Sequence, residues 1–258
     1  IAMPNYDFSS ISLRKNKKCL LCKSTKRKKV GIKGNREYTG ADKKATPHLV
    51  TDIYECSVCN FNYIDPFFEN VEEIEKIYYG SPDKYFFDIT QEVSDMFQKR
   101  VDLLQRFLRS GSGLDVGCGR GEFLKQLNMN GFNVQGIEPS EGLNDYASQY
   151  TELKIHHTTL ENFNGDEKFD FVSSTHSLEH MDDPHSFIEN THRVLKEKGI
   201  LFLEVPNTNA GIIKLIDFIY NIIGLNWTTR LCPLHEPFHK YGYNKKSLEF
   251  LVKNKFKI

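Results

Sequence analysis

One short segment near the middle of the chain restricts its fold more than any other. It reads Leu114-Asp115-Val116-Gly117-Cys118-Gly119-Arg120-Gly121-Glu122-Phe123-Leu124. An apolar strand runs into three alternating glycines and then into a helix. Glycines allow a sharp turn and a close approach of the backbone to a ligand, and a helix start presents free N–H groups and the positive end of its dipole. The segment therefore predicts a strand, turn and helix that bind a ligand.

The same alternation of strand and helix continues to about residue 206. Strands are predicted at Gly113–Cys118, Asn133–Glu138, Leu153–His156, Lys168–Ser174 and Ile200–Val205, and helices at Glu122–Asn130, Glu141–Tyr150 and Pro184–Lys196. Strands that alternate with helices in this way form parallel sheets with helices on both faces. We therefore predict an α/β fold with a doubly wound, mostly parallel, Rossmann-like sheet.

Charge divides the chain unevenly. The 258 residues hold 34 basic and 34 acidic side chains and are 39% hydrophobic, which excludes a disordered or collagen-like chain. Residues 1–65, however, hold 13 Lys and Arg against 6 Asp and Glu, a net charge of +7. This asymmetry predicts a small domain over residues 1–66, a helical connector that helps to cover the active site over 67–110, and a main domain over 111–258.

Four of the six cysteines form two Cys-x-x-Cys pairs, Cys19 with Cys22 and Cys56 with Cys59. Two such pairs can offer four thiolates to one tetrahedral zinc ion, which would leave no position open for chemistry. The pattern predicts a small zinc-ribbon-like domain with structural Zn²⁺; free buried cysteines or a redox pair are the alternatives. It also favours a reducing compartment, so we expect a cytoplasmic protein.

An acidic residue, Glu138, ends the second predicted strand and could accept hydrogen bonds from a ribose diol. Dinucleotide sites favour the spacing G-x-G-x-x-G, whereas this chain has G-x-G-x-G with Asp115 just before it. A carboxylate at that place suits a cationic amino-acid end better than a pyrophosphate. A plain tight turn is the remaining alternative.

The segment Leu114–Leu124 resembles the first motif of class I S-adenosylmethionine-dependent methyltransferases. The segments Phe169–Val172 and Ser177–Pro184 resemble that superfamily's fourth-strand motif, particularly in its small-molecule branch, and Gly199–Asn207 matches the next strand. The resemblance covers about residues 85–258. One departure is that the chain stops at Ile258, where further strands are usual. Either the sequence is truncated or its sheet is incomplete, and we favour truncation.

The resemblance implies a set of residues that bind S-adenosylmethionine. Asp115, Gly117, Gly119 and Gly121 would hold its methionine part, Glu138 its ribose, Pro139, Ser140, Leu160 and Glu161 its adenine, and Ser174, Thr175 and His176 would lie beside the sulfonium.

Methyl transfer to a hydroxyl requires alignment and removal of a proton, and histidine is the side chain best suited to accept one near neutral pH. Candidates follow the fourth and fifth predicted strands: His176, Glu179, His180, His235, Glu236 and His239. Any one of them could instead be a capping or core residue, and the group could hold a second divalent metal.

A zinc-ribbon-like head before a small-molecule methyltransferase domain resembles sugar methyltransferases of surface-polysaccharide pathways. The predicted substrate is therefore a small molecule: a sugar or nucleotide-sugar hydroxyl, or a phosphorylated metabolite. Alternatives are an RNA methyltransferase that uses the basic head, and a non-catalytic docking protein. The absence of an N-P-P-Y type motif makes a nucleic-acid partner the weaker prediction.

The segment Gly211–Leu225 is apolar nearly all round. It predicts either a lid or dimer helix, consistent with a homodimer, or a plain buried helix. Lys214, Asp217 and Asn221 interrupt it, so we expect no membrane span.

Overall fold

The computed structural model describes residues 12–33, 51–69, 91–231 and 240–258. The strands are β1 (Ser12–Arg14), β2 (Arg27–Lys33), β3 (Thr51–Cys56), β4 (Asn62–Asp65), β5 (Phe67–Glu69), β6 (Gly111–Val116), β7 (Phe132–Ile137), β8 (Ile155–His156), β9 (Phe169–Thr175), β10 (Leu195–Glu204) and β11 (Tyr241–Gly242). The helices are α1 (Gln91–Gln105), α2 (Glu122–Met129), α3 (Glu141–Thr151), α4 (Pro184–Val194), α5 (Gly211–Ile222) and α6 (Lys245–Val252).

The chain divides into two compact units that do not follow its linear order. The first unit comprises Ile1–Ile74, Glu179–His185 and Val205–Ile258, and the second comprises Glu75–Leu178 and Ser186–Glu204. The partition expected from composition differs from this grouping, because residues 205–258 join the cysteine-bearing segment. The physical reason is backbone pairing: β11 pairs antiparallel with β4.

The first unit contains an antiparallel sheet in the order β11-β4-β3-β2 and a separate pair of strands, β1 and β5. Aromatic rings fill one side of this sheet and are almost completely buried. Phe61 lies 5.0 Å from Tyr243 and 5.4 Å from Tyr241 between ring centroids, and Tyr63 stacks on Phe67. Rings from both ends of the chain therefore share one small core.

The second unit contains the five-stranded sheet β10-β9-β6-β7-β8, in which every neighbouring pair is parallel. This confirms the predicted α/β fold with a Rossmann-like parallel sheet. In such sheets ligands bind beside the carboxyl ends of the strands, where the strand order reverses. The order reverses between β6 and β9, so that place lies at the carboxyl ends of these two strands, next to the end of β7.

Helix α2 shows why the second unit folds as it does. Its Phe123, Leu124 and Leu127 recur at helical spacing, and all three are buried. They share one core with Val101 and Leu104 of α1 and with Phe132, Val134 and Phe171 of the sheet. Burial of each large side chain contributes about 1.5–3 kcal/mol, so this apolar face fixes α2 on the sheet.

The largest difference between a predicted and an observed boundary lies between helix α4 and β10. Helix α4 ends at Val194 rather than at Lys196, and β10 begins at Leu195 rather than at Ile200. The pairing of β10 with β9 shifts register between Leu195 and Ile200, and Lys198 adopts φ 64° there. The strand therefore starts, is interrupted at a turn, and resumes, which local pattern does not reveal. Of the predicted helical connector, Gln91–Gln105 form helix α1, but Phe67–Glu69 form strand β5; residues 70–90 lie outside the described residues.

Helix α5 corrects one alternative for the segment Gly211–Leu225. The structure buries no residue of this helix, and Ile212, Phe218 and Ile222 are each more than 60% exposed, so a plain buried helix is wrong. Its Asp217 carboxylate instead accepts hydrogen bonds from Thr228, Thr229 and Arg230. Among the described residues, no helix has the length and apolar character needed to cross a membrane.

Two glycines give a matched test of this packing. A Cβ at Gly113 would lie 2.1 Å from Cζ of the buried Phe171, whereas a Cβ at Gly211 would meet nothing within 4 Å. We expect Gly113→Ala to lower the free energy of unfolding by about 1–3 kcal/mol because it overpacks the core. Gly211→Ala, at the start of α5, should leave stability unchanged or raise it by up to about 1 kcal/mol. Urea unfolding of both variants checks this, and equal stability would contradict the described core.

Candidate functional site

The glycine turn after β6 has a backbone that side chains do not tolerate. Gly117, Gly119 and Gly121 have φ values of 71°, 57° and 83°. A Cβ at Gly117 would lie 2.3 Å from Ser177 Oγ, and one at Gly121 would lie 2.6 Å from Thr151 Cγ2. Both the conformation and the close packing therefore require glycine.

The turn holds Glu138 in a fixed position at the end of β7. Its Oε2 accepts a hydrogen bond from the Gly119 N–H, and its Oε1 accepts one from the Ser140 N–H, both at 2.9 Å. The residue is 6% exposed. A carboxylate with two oxygens can accept about four hydrogen bonds, so Glu138 keeps capacity for a diol. Pro139 beside it is exposed and Ser140 is half-buried.

Burial destabilises the charged form of two carboxyl groups here. It raises the pKa of Glu138 to about 7 and that of Asp115 to about 6. Asp115 is 2% exposed, and its Oδ1 accepts a hydrogen bond of 2.7 Å from Ser173 Oγ. In this structure Asp115 therefore links β6 to β9 and offers little surface to a ligand.

These observations distinguish between the cofactors that a glycine turn can bind. A pyrophosphate would add negative charge beside two buried carboxyl groups, which raises the electrostatic cost. A sulfonium cofactor brings positive charge and a ribose diol, and both suit carboxylates. The residues present therefore fit S-adenosylmethionine better than a dinucleotide.

The residues at and just after the end of β9 differ in their exposure to solvent. Ser174 is fully buried, Thr175 is half-buried, and His176 is exposed with φ 55°. Of the three residues expected beside the sulfonium, His176 therefore presents the most surface. Its Nε2 lies 3.0 Å from Glu204 Oε1, a contact that sequence spacing does not indicate.

Two of the residues expected near the adenine differ in their exposure to solvent. Leu160 is 2% exposed, which makes it part of the core, whereas Glu161 is exposed. His157, which the sequence analysis missed, lies with Nε2 3.0 Å from the carbonyl oxygen of Pro139. Its place just after β8 at the sheet's carboxyl edge is the signal that could have identified it.

The remaining candidates for proton transfer either belong to the first unit or lie outside the described residues. Glu179 and His180 form a short 3-10 turn, Leu178–His180, and are grouped with the first unit. Glu179 is 2% exposed and His180 is half-buried. His235, Glu236 and His239 lie outside the described residues. These five assignments stay predictions.

The two cysteine pairs meet in the first unit, as the sequence predicts. Cys19 Sγ lies 3.5 Å from Cys59 Sγ, and Cys22 Sγ lies 3.4 Å from Cys56 Sγ. All four sulfurs lie within 4.8 Å of one another. The contact with Cys59 lowers the pKa of Cys19 to about 5, which favours a thiolate at this position.

Both cysteine pairs have the same local backbone. The N–H of Lys23 donates to the Cys19 carbonyl and that of Asn60 donates to the Cys56 carbonyl, each at 2.9 Å. Lys23 and Asn60 have φ values of 57° and 61°, so each pair forms one tight knuckle. Within the residues that the structure covers, no second group of three metal-binding side chains comes together.

A family model described as a methyltransferase domain matches residues 89–247, more than half of the chain. The chain belongs to this methyltransferase-domain family. Membership, together with the five-stranded parallel sheet and the glycine turn, confirms the predicted class: S-adenosylmethionine-dependent methyltransferases of the class I fold.

Curated relatives carry the name ubiquinone biosynthesis O-methyltransferase. The protein from Actinobacillus pleuropneumoniae serotype 7 is 30% identical over 166 residues, which cover 59% of this chain and 63% of the relative. The protein from Coxiella burnetii strain Dugway is 32% identical, and the matched residues cover 46% of this chain and 52% of the relative. The chain thus spans less than two thirds of the length of these relatives.

Solved methyltransferase structures are similar to part of the chain. A possible histamine N-methyltransferase from Thermotoga maritima has a TM-score of 0.48 at 19% identity and covers 72% of this chain and 76% of its own. The N-methyltransferase NodS from Bradyrhizobium japonicum, in complex with S-adenosyl-L-homocysteine, has a TM-score of 0.46 at 19% identity. The match covers 52% of this chain and 72% of NodS.

The raised pKa of Glu138 predicts how stability depends on pH. Its ordinary value is 4.5 and the folded value is about 7, so the folded state favours the protonated carboxyl. This stabilising contribution is complete below pH 4.5 and is lost as pH rises through 7. Relative to Glu138→Gln, the free energy of unfolding of the unmodified protein should fall by about 2 kcal/mol between pH 5 and pH 8. Denaturant titrations at both pH values measure the difference; a pH-independent difference would contradict the assignment.

Proposed function

We propose that this protein transfers a methyl group from S-adenosylmethionine to a hydroxyl group of a small molecule. The observation that carries the proposal is the Glu138 carboxylate, held by two backbone N–H groups beside a glycine turn at the switch point of a parallel sheet. Family membership supports the same activity.

When bound, S-adenosylmethionine supplies an electrophilic methyl group on a positively charged sulfur. The glycine turn would give the cofactor room, and Glu138 would fix its ribose. His176, exposed after β9, is the described histidine best placed to accept the acceptor's proton. Other candidates for contact with the acceptor or for a divalent metal are His180 and Glu179 and, outside the described residues, His235, Glu236 and His239.

The names of the curated relatives bear on the acceptor. They describe O-methyltransferases of ubiquinone biosynthesis, which favours transfer to oxygen but gives no support to sugars or to polysaccharide biosynthesis. We therefore widen the proposed acceptors from sugar hydroxyls to small-molecule hydroxyls, including ring hydroxyls of quinone precursors. A panel that contains nucleotide sugars and hydroxylated aromatic compounds, assayed with and without divalent ions, separates the two classes.

Cofactor binding is the direct test. Glu138→Ala removes the carboxylate that would accept the ribose hydroxyls, and we expect about 10–100-fold weaker binding of S-adenosylhomocysteine, since hydrogen bonds to charged groups contribute about 1.5–3 kcal/mol. Isothermal titration calorimetry measures this change. Glu141→Ala is the matched control, because that exposed side chain starts α3 only three residues away, and its affinity should stay within about twofold. Unchanged affinity in Glu138→Ala would refute the site.

A structural zinc ion in the cysteine cluster is the second part of the proposal. Zinc bound tetrahedrally by four thiolates at about 2.3 Å needs sulfurs that lie within about 4 Å of one another. The sulfur contacts of 3.4 and 3.5 Å and the paired knuckles support this donor set. With four protein ligands, the ion would stabilise the fold of the first unit and take no part in methyl transfer.

Two cysteine substitutions test the zinc site. Cys56→Ser should lower zinc content from about one equivalent per chain to a small fraction and destabilise the first unit, because a thiolate ligand is lost. Cys118→Ser is the control, since Cys118 is buried in the second unit and is not one of the four clustered cysteines. Elemental analysis and thermal unfolding of both variants decide the matter. Full zinc content in Cys56→Ser would disprove the assignment.

A further inference from the structure

His176 is held at the end of β9 by contacts on both its backbone and its side chain. Its N–H donates to the Glu204 carbonyl at 2.9 Å, and its Nε2 lies 3.0 Å from Glu204 Oε1. A non-glycine residue with φ near +55° is uncommon and costs about 1 kcal/mol or more unless its surroundings support it. Glu204 therefore fixes both the residue and the direction of its ring.

Glu204 is itself fixed by Arg100 of helix α1. The Arg100 guanidinium donates from Nε to Oε2 at 2.9 Å, and its second nitrogen contacts Oε1. Arg100 is 6% exposed and lies over the Phe97 ring at 5.2 Å. Bidentate arginine contacts set the plane of a carboxylate, and burial restricts the guanidinium to one arrangement.

The three side chains thus form a chain of contacts from a buried cation to an exposed imidazole. Hydrogen bonding by His176 and Arg100 lowers the pKa of Glu204 to about 2, so the carboxylate is charged at any working pH. A base oriented by a charged carboxylate is the arrangement by which enzymes hold an imidazole in one tautomer and stabilise the imidazolium.

We propose that Glu204 and Arg100 are positioning residues that orient His176 as the general base of methyl transfer. The inference rests on the proposed function and adds residues to it that neither the glycine motif nor the family match identifies. In the step, His176 accepts the proton of the acceptor hydroxyl, the acceptor oxygen bonds to the methyl carbon, and the carbon–sulfur bond breaks with its electrons left on sulfur. Glu204 stays ionised throughout.

Open space lies beside Glu204. Glu204 lines a cavity of about 290 Å³ together with Met96, Lys99, Arg100, Leu103 and Phe202. Half of the His176 side chain is exposed. Charged groups that face His176 or its partner include Glu204 on β10 and Arg100 and Lys99 on α1, and Asp115 on β6 interacts electrostatically with Arg100. The exposed half of the imidazole is the surface that an acceptor would contact.

Histidine NMR on the full chain with S-adenosylhomocysteine tests the pairing directly. His176→Gln assigns the resonance of His176, which in the unmodified protein should titrate above the value of about 6.5 of a free imidazole, because the Glu204 carboxylate stabilises the imidazolium. In Glu204→Gln the midpoint should fall by about one pH unit, because the charge that stabilises the imidazolium is gone. Asp170→Asn is the matched control: it removes a carboxylate paired with Lys196 on the neighbouring strand and should leave the midpoint unchanged.

Turnover is then measured with a compound of the acceptor panel that the protein methylates. This measurement separates the effect of the His176 ring orientation from that of the Glu204 charge. Glu204→Gln should lower kcat about 10–100-fold and move the acidic limb of its pH profile to lower pH, while affinity for S-adenosylhomocysteine stays within about twofold. Arg100→Lys keeps the charge but loses the paired contact, and should lower kcat with an unchanged midpoint.

Different outcomes test the positioning role and the proposed function. A titration at or below pH 6.5 in the unmodified protein, or one that Glu204→Gln leaves in place, overturns the positioning role even if no variant gives turnover. Full activity in His176→Gln overturns it as well, yet leaves the methyltransferase function intact. Failure of the unmodified protein to bind S-adenosylhomocysteine would instead refute the proposed function.

Discussion

The burial of two carboxyl groups beside a glycine turn is the constraint on which the candidate site depends. Desolvation raises the pKa of both Asp115 and Glu138, so the protein by itself bears an electrostatic cost at neutral pH. Backbone N–H groups and Ser173 offset only part of it. A positively charged ligand that carries a diol would offset part of the remaining cost at Glu138, which would link the stability of the sheet to the chemistry of the cofactor.

The features that local pattern determines were predictable from the sequence. The positive φ values of the three glycines follow from their spacing after an apolar strand, and Glu138 follows from the end of the next strand. The parallel sheet follows from the alternation of strand and helix, although the order of its strands needs contacts that short windows do not contain. The meeting of Cys19 and Cys22 with Cys56 and Cys59 was predictable because metal-binding cysteines of this type recur at fixed spacing.

Long-range contacts account for most of what the sequence could not reveal. Arg100 meets Glu204 across 104 positions, and no spacing rule connects a helix residue to a strand end so far away. The outward apolar face of α5 was ambiguous for another reason: periodicity shows that a helix is apolar but not whether another element covers it. The start of β10 was missed because a register shift is decided by its pairing partner.

The pairing of β11 with β4 has a consequence for the order in which the protein is made. Tyr241 and Gly242 join residues that leave the ribosome about 180 positions earlier, so the cysteine-bearing sheet waits for its last strand until nearly the whole described chain has been synthesised. Until then the edge of β4 presents unpaired backbone groups, the kind of surface that recruits strands from other molecules. The edge of β4 is therefore a site at which the nascent chain is exposed to aggregation.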